Sequence, residues 1–179
     1  MEQEPDLNLI ITCARHFEEE TSEEIKRVLM ELSDQEPKVT ITSMPGILTA
    51  ITSLNPINTI EKIRDKIIDE PWSIRYCFRI IPIQSSCQTN LREIVDKIQN
   101  MIDVLKPQES YRITVEKRNA KISSNEIISE IAKNIPNKVS LDDPNWIILI
   151  EIIGDETGVS VLRNNMILSV EKVKRSLSE

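Results

Sequence analysis

The chain has 179 residues, of which 40% are apolar and 28% are charged, and its net charge at pH 7 is −7. This composition is typical of an ordered globular protein with one or two small domains. The longest uncharged apolar run, Trp146 to Ile150, is too short to cross a bilayer, and the N-terminus has no basic start like that of a signal peptide. We therefore expect a cytoplasmic protein that does not associate with membranes.

The charge is distributed unevenly along the chain. Residues 1–104 hold 18 acidic and 11 basic residues, a net charge of −7, whereas residues 105–179 hold 11 of each. Residues 106–138 are the most basic window, with seven Lys or Arg residues against four acidic ones. Such a window is common on solvated surfaces, but it also fits a surface that binds an anion.

The first half of the sequence predicts, in order, strand, helix, strand, strand, helix and strand. The first helix has a capping box at Thr21 and Glu24, and the second begins at Asn55-Pro56 and is bounded by Pro71. This βαββαβ order is the ferredoxin-like plan, in which two helices cover one face of a four-stranded sheet. The predicted elements are Leu7–Thr12, Ser22–Ser33, Lys38–Thr42, Ile47–Thr52, the helix from Asn55 and Ile74–Ile83.

The last of these strands alternates in residue type. Arg75 and Arg79 are predicted on one face, about 13 Å apart, with the small Cys77 between them. They form either a track for phosphates or the charged protection of an edge strand. The opposite face is predicted to carry Ile74, Tyr76, Phe78 and Ile80.

The second half predicts another α/β domain, so that the chain divides into residues 1–87 and 88–179. A helix at Leu91–Leu105 is followed by a strand that begins near Tyr111 and by a helix that Ser123 caps together with Glu126. The segment 146–153 is apolar on both faces, as in a central strand, and a turn from Gly154 to Gly158 joins it to a strand at 159–162. The polar tail after it is predicted to be partly helical. The fold class is therefore α/β, of the α+β type.

A short basic turn lies between the strand and the helix of this second domain. It reads Lys117-Arg118-Asn119-Ala120-Lys121 and directly precedes the predicted helix N-terminus at Ser123. Cationic side chains and unpaired backbone N–H groups at a helix N-terminus both favour an anion. We expect this turn to bind phosphate, with a solvated turn as the alternative.

The residue inventory gives little support for catalysis. Three glycines cannot form the glycine-rich loops that cradle nucleotide phosphates. His16 is the sole histidine, and it could form a zinc site with the three cysteines or a nucleophilic pair with Cys13. Both alternatives have little support, because the cysteines lack CxxC spacing and are typical of reduced, buried thiols. The sequence predicts no catalytic residue, metal or cofactor.

The mode of nucleic-acid binding can also be narrowed. The two strands that would be central in a ferredoxin-like sheet carry no aromatic residue, which excludes an RNA-recognition motif. Aromatic residues make up 3% of the chain, so binding through stacked bases is poorly supported. The remaining mode is a protein that contacts phosphates through Lys and Arg.

Two stretches resemble a known RNA-binding family. The THUMP domain is similar to two stretches of the chain, "YRITVEKRNAKISSNEIISEIAKNI" and "NKVSLDDPNWIILIEIIGDETGVSVL". The resemblance lies in a strand that ends in paired cations, in a Lys-Val-x-Leu-x-x-Pro connector and in a strand that ends in Glu-Ile-x-Gly. Upstream, "LIITCARHFEEE" and "IRYCFRIIPIQSSC" resemble the ferredoxin-like domain that accompanies THUMP, and more narrowly the small adaptors of tRNA cytidine acetyltransferases.

The resemblance implies a non-enzymatic adaptor that binds tRNA rather than DNA. The two domains would hold the acceptor stem and 3′ CCA end and present the tRNA to a separate acetyltransferase, which forms N4-acetylcytidine in the D arm. The sequence shows none of the catalytic domains that most THUMP proteins add. The alternatives are an accessory subunit of another tRNA-modifying enzyme, or a ferredoxin-like protein that binds a small molecule or depends on a thiol. The candidate RNA-binding residues are Lys117, Arg118, Asn119, Lys121, Lys138, Arg112, Arg75, Arg79 and Arg15.

Overall fold

The computed structural model describes residues 7–179 and divides into two compact units. Among the described residues, the first unit consists of those up to Pro82 together with Asn165–Glu179, and the second consists of Ile83–Asn164. The described strands are β1 (Leu9–Cys13), β2 (Lys38–Ile41), β3 (Ile47–Ile51), β4 (Cys77–Pro82), β5 (Ser85–Gln88), β6 (Tyr111–Arg118), β7 (Trp146–Ile153), β8 (Glu156–Leu162) and β9 (Leu168–Ser169). The described α-helices are α1 (Glu18–Glu31), α2 (Pro56–Asp69), α3 (Leu91–Gln99), α4 (Ser124–Ala132) and α5 (Val170–Ser176).

The first unit has an antiparallel sheet in the order β2-β3-β1-β4-β9. Its first four strands have the ferredoxin-like order, and apolar residues of α1 and α2 pack with those of the strands in one core. The Asn55 side chain caps α2 by accepting from the N–H groups of Ile57 and Asn58, both at 3.1 Å. The predicted mixed fold class is therefore confirmed.

Helix α1 begins earlier than the capping box predicts. It starts at Glu18, and Phe17 precedes it without a side-chain cap. The Glu24 carboxylate does not cap the helix, since it accepts from the backbone N–H groups of Arg75, Tyr76 and Cys77 instead. This carboxylate therefore supplies acceptors to the chain as it enters β4, a long-range role that local spacing does not reveal.

Strand β4 departs from the predicted alternation. Cys13 lies opposite Cys77 while Thr12 lies opposite Arg79, so β4 contains one extra residue, a β-bulge. Phe78 is therefore exposed while Cys77 is buried in the core. Arg75 lies before the first residue of β4, so the prediction that Arg75 and Arg79 share one face of the strand is wrong.

Strand β4 is not an edge strand either. The pairs Arg79 with Ser169 and Ile80 with Leu168 join it to β9, and Leu168 and Val170 are buried in the core of the first unit. The chain after 164 thus returns to the first unit, whereas the sequence pattern assigned it to a domain at 88–179. Helix α5 agrees with the prediction of a partly helical tail.

The second unit has a sheet in the order β5-β8-β7-β6, in which only the β6–β7 pair among these strands is parallel. Strand β7 is central and almost fully buried, as its apolar sequence predicts. The sequence pattern predicts no element between Ile83 and Leu91, but β5 lies there and pairs with β8, and the second unit begins at Ile83. The predicted boundary after residue 87 therefore differs from the observed one.

Two further boundaries differ locally. Helix α3 ends at Gln99, and a 3₁₀ turn at Ile102–Val104 replaces the rest of the predicted helix. Gly158 lies inside β8 rather than in the turn, which is formed by Gly154 and Asp155. A Cβ atom at Gly158 would lie 2.9 Å from the Ile83 side chain, so close packing explains this glycine.

Candidate nucleic-acid interface

The basic turn between β6 and α4 lies at the sheet end where β6 finishes. Asn119 reverses the chain there with a φ of 55°, a left-handed conformation that asparagine tolerates better than most residues. Lys117 and Lys121 are exposed, and the Lys117 Nζ donates to the carbonyl of Ile122 at 2.9 Å. We call Lys117, Arg118, Asn119 and Lys121 the turn cluster.

Helix α4 begins beside the turn cluster, as the capping box predicts. The Ser123 side chain accepts from the N–H of Glu126 at 3.3 Å. Glu126 also places a carboxylate in the first turn of the helix. The positive end of the helix dipole is therefore partly offset, and the two exposed lysines are the main source of positive potential here.

Arg118 has a structural partner. Its Nη1 donates to the Glu151 Oε2 at 2.6 Å, and the side chains of Arg118 and Glu151 are 22% and 1% exposed. A carboxylate this buried needs a cation or hydrogen-bond donors to remain charged. The Arg118 guanidinium is therefore not free to contact a phosphate with both of its prongs, because one nitrogen binds Glu151.

Lys138 and Arg112 lie at the other end of β6. The carbonyl of Lys138 accepts from the N–H of Tyr111 at 3.0 Å, and Arg112 donates to the carbonyl of Leu141 at 2.9 Å. Tyr111 and Arg118 are the two ends of an extended strand and are therefore about 23 Å apart. Lys138 is therefore a candidate RNA-binding residue that lies too far from the turn cluster to contact the same phosphate.

Two further cations, Lys106 and Arg163, lie at this end of the sheet. The carbonyl of Lys106 accepts from the Asn137 side chain at 2.7 Å, next to Lys138, and Arg163 forms an ion pair with Glu109 at 2.7 Å. The sequence interpretation did not select Arg163, although a cation directly after a strand of the same sheet could have suggested it. We call Lys106, Arg112, Lys138 and Arg163 the edge cluster; the acidic residues Asp142 and Asp143 follow in the same loop.

Glu109 contacts two residues of the edge cluster, Lys106 and Arg163. Three groups lower the pKa of Glu109 to about 2: the backbone N–H of Lys106, which has the largest effect, and the side chains of Trp146 and Arg163. The Arg163 guanidinium also lies 3.9 Å from the centre of the Trp146 ring, a cation–π arrangement. Arg163 is therefore fixed in position while part of its guanidinium still faces solvent.

The remaining candidate residues belong to the first unit. Arg15 is exposed in the turn after β1, and the Phe17 ring in that turn stacks on Tyr76 with 5.5 Å between the ring centres. The Arg75 guanidinium lies over the same Tyr76 ring at 5.8 Å, and Arg79 is exposed at the bulge of β4. A role of Arg15, Arg75 and Arg79 in RNA binding stays a prediction.

The thiols are poor nucleophiles. Burial raises the pKa of Cys13 and of Cys77, and burial raises the pKa of Cys87 to about 11. A thiol with a raised pKa holds less of the reactive thiolate at neutral pH. Within residues 7–179 we find no group of three His, Cys, Asp or Glu side chains that could hold a metal ion, and no helix long and apolar enough to span a membrane.

Comparison with known proteins bears on the second unit. Residues 88–162 match the family model of the THUMP domain. The chain contains a THUMP domain. This match supports RNA binding and an association with tRNA modification. Both clusters of cations belong to the second unit, and all of their residues except Arg163 lie within the matched range.

A curated relative and solved structures extend this comparison. The THUMP domain-containing protein 1 homolog of Drosophila melanogaster is 31% identical over 98 residues, which is 50% of this chain and 30% of that protein. PH1313 from Pyrococcus horikoshii has a TM-score of 0.67 at 14% identity, over 88% of this chain and 54% of its own. TrmN from Thermus thermophilus has a TM-score of 0.53 at 11% identity, over 86% of this chain and 44% of its own. The structural matches show the fold alone, and the chain spans less than a third of the curated relative.

Proposed function

We propose that this chain binds tRNA and presents it to a separate modifying enzyme. The observation that carries the proposal is the THUMP domain at residues 88–162, which exposes two groups of cations although the whole chain is acidic. Lys and Arg side chains contact phosphate oxygens, and such contacts position an RNA without reading its bases. The net charge of −7 does not prevent this, because the excess acid lies in residues 1–104.

The two clusters would contact different phosphates. They lie at opposite ends of β6, about 23 Å apart, which is far more than one phosphate group spans. Within the turn cluster, Lys117 and Lys121 are the binding groups and Arg118 supports the strand end through Glu151. The THUMP domain would therefore follow an RNA backbone over several nucleotides, in agreement with an acceptor stem and its 3′ CCA end as the ligand.

The specific role we propose is that of an adaptor for a tRNA cytidine acetyltransferase that forms N4-acetylcytidine in the D arm. The support for this is the resemblance of residues 7–163 to such adaptors. An accessory subunit of another tRNA-modifying enzyme is the alternative. The raised pKa values of the three thiols favour either role over a thiol-dependent activity.

Reconstitution tests the proposal in two stages. First, the affinity of the purified chain is measured for a tRNA, for the same tRNA without its 3′ CCA end, and for a DNA hairpin of equal length. The tRNA should bind tightest, with an affinity that falls steeply as salt rises. Equal affinity for all three would contradict tRNA as the ligand.

The second stage adds the acetyltransferase of the same cell, with acetyl-CoA and ATP, and measures N4-acetylcytidine by nucleoside mass spectrometry. We expect acetylation only when the chain and the enzyme are both present. Acetylation by the chain alone would contradict the non-catalytic role, and full acetylation by the enzyme alone would contradict the adaptor role.

A further inference from the structure

An open pocket of about 360 Å³ lies within the first unit, and all of its lining residues belong to that unit. Helix α1 forms one wall with Glu20, Glu23 and Glu24, and the segment before β4 forms the other with Trp72, Ser73 and Tyr76. Three of the six aromatic residues of the chain lie between 72 and 78, and Phe17 stacks on one of them. An overall aromatic content of 3% conceals this concentration.

Two of the three acidic side chains of the pocket are available to a ligand. Glu20 and Glu23 are exposed, and the Glu23 carboxylate has only a loose contact with Lys26, at 3.6 Å. The buried Glu24 carboxylate accepts from backbone N–H groups, and no cationic side chain of the described residues pairs with it. With three carboxylates and two guanidinium groups, the lining of the pocket has a net charge of −1.

The two arginines that also line the pocket are already engaged. Arg27 donates to the Ser73 carbonyl and pairs with Glu31 at 3.3 Å, and Arg75 lies over the Tyr76 ring. Among the described residues, neither guanidinium forms an ion pair with Glu20 or Glu23.

Two uncharged features point to a ligand that carries both a cation and a hydrogen-bond donor. The Trp72 side chain is 71% exposed, so its ring is accessible to a cation. Ser73 is 4% exposed and its hydroxyl has no hydrogen-bond partner among the described residues, a condition that is costly for a buried polar group. An ammonium or guanidinium group can satisfy an aromatic ring, a carboxylate and a hydroxyl oxygen together.

We infer that this pocket binds a Lys or Arg side chain presented by a basic segment of a partner protein. Carboxylates, an accessible indole ring and a hydroxyl acceptor are the groups that recognise such a side chain. The inference goes beyond the proposed function, because it holds whether or not the chain binds tRNA. It gives the excess acid of the N-terminal region a role in binding protein rather than RNA.

The test uses the full-length ¹⁵N-labelled chain and a hexa-arginine peptide, with hexaglutamine as the uncharged control. The NMR signal of the Trp72 indole N–H, assigned by its loss in Trp72→Phe, should shift with hexa-arginine while that of Trp146 stays in place. The double variant Glu20→Gln, Glu23→Gln should bind the peptide at least about threefold more weakly, as expected for two exposed charge pairs. Trp72→Ala should lose affinity by a similar factor.

The matched control is the double variant Glu61→Gln, Asp65→Asn, which removes the same charge from exposed positions of α2. The inference is overturned if the Trp72 signal does not shift with hexa-arginine, or if the two double variants bind the peptide equally. It is also overturned if Trp72 responds to oligouridylate instead, since the pocket would then be an RNA surface. Absence of tRNA binding by the unmodified chain would contradict the proposed function but leave this titration unaffected.

Discussion

The carbonyl oxygen of Lys138 accepts a hydrogen bond from the N–H of Tyr111 at 3.0 Å. This bond fixes Lys138 beside the first residue of β6, while Lys117 and Lys121 lie at or beyond its last residues. Cations that form one basic window in the sequence therefore belong to two clusters at opposite ends of a strand. Each cluster is expected to contribute separately to RNA binding.

The turn cluster can be tested with Lys117→Ala and Lys121→Ala. Each substitution should weaken tRNA binding about equally for all tRNA sequences and reduce the slope of log affinity against log salt by about one unit, since one phosphate contact is lost. The measurement is a binding titration across a salt series. Lys97→Ala, an exposed lysine on α3 of the same unit, is the control and should change neither quantity. An unchanged slope in both turn variants would place the RNA contact elsewhere.

The edge cluster can be tested with the pair Lys106→Ala, Lys138→Ala. We expect weaker tRNA binding, and we expect this loss to add to that of Lys117→Ala, Lys121→Ala within about 0.5 kcal/mol, because the sites are too distant to interact directly. A four-variant cycle of binding free energies measures the additivity. Binding that is unaffected by the edge substitutions would restrict the RNA contact to the turn.

Arg118→Ala is expected to act mainly on stability. It leaves the buried Glu151 carboxylate without its cation, which should cost about 2–4 kcal/mol, somewhat less than for a fully buried pair because Arg118 is partly exposed. Urea unfolding followed by circular dichroism measures this cost. Arg118→Leu combined with Glu151→Leu should recover most of the stability, and Lys117→Ala should cost under about 0.5 kcal/mol. A stable Arg118→Ala variant that no longer binds tRNA would show that the guanidinium contacts RNA directly.

Glu109 should make stability depend on pH in the acid range. Its pKa in the folded protein is about 2, against an ordinary value of 4.5, so the folded state favours the charged form. The stabilisation is fully present above pH 4.5 and is lost as the pH falls through about 2. We therefore expect the urea midpoint of the unmodified chain to fall more steeply than that of Glu109→Gln as the pH is lowered across this interval. Parallel pH profiles for the two proteins would contradict this prediction.

The thiols should be dispensable for RNA binding. Cys87 is the least buried of the three cysteines, and its pKa of about 11 predicts slow alkylation by iodoacetamide at pH 7. Cys87→Ser should therefore leave tRNA affinity unchanged, since a neutral thiol offers no phosphate contact. A loss of affinity on alkylation or substitution would favour the thiol-dependent alternative.

The sequence by itself determined the elements that depend on local signals. Asn55 caps α2 and Ser123 caps α4 as their spacing predicts, because a cap is formed within a few residues of the chain. The uniform apolarity of 146–153 likewise identified a central strand, since only a strand covered on both faces needs no polar side. The resemblance to THUMP rests on stretches between residues 111 and 162 that can be read directly from the sequence, and the family match over residues 88–162 agrees with it.

Only the tertiary structure decided the features that depend on distant partners. Strand β5 is short and polar, and it exists because β8 pairs with it; β9 likewise joins the first unit because Leu168 completes a core formed far away in the chain. The bulge at Phe78 follows from the register between β4 and β1. The engagement of Arg118 by Glu151 arises because β7 buries that carboxylate beside β6, and no spacing in the sequence reports which cations a buried acid will hold.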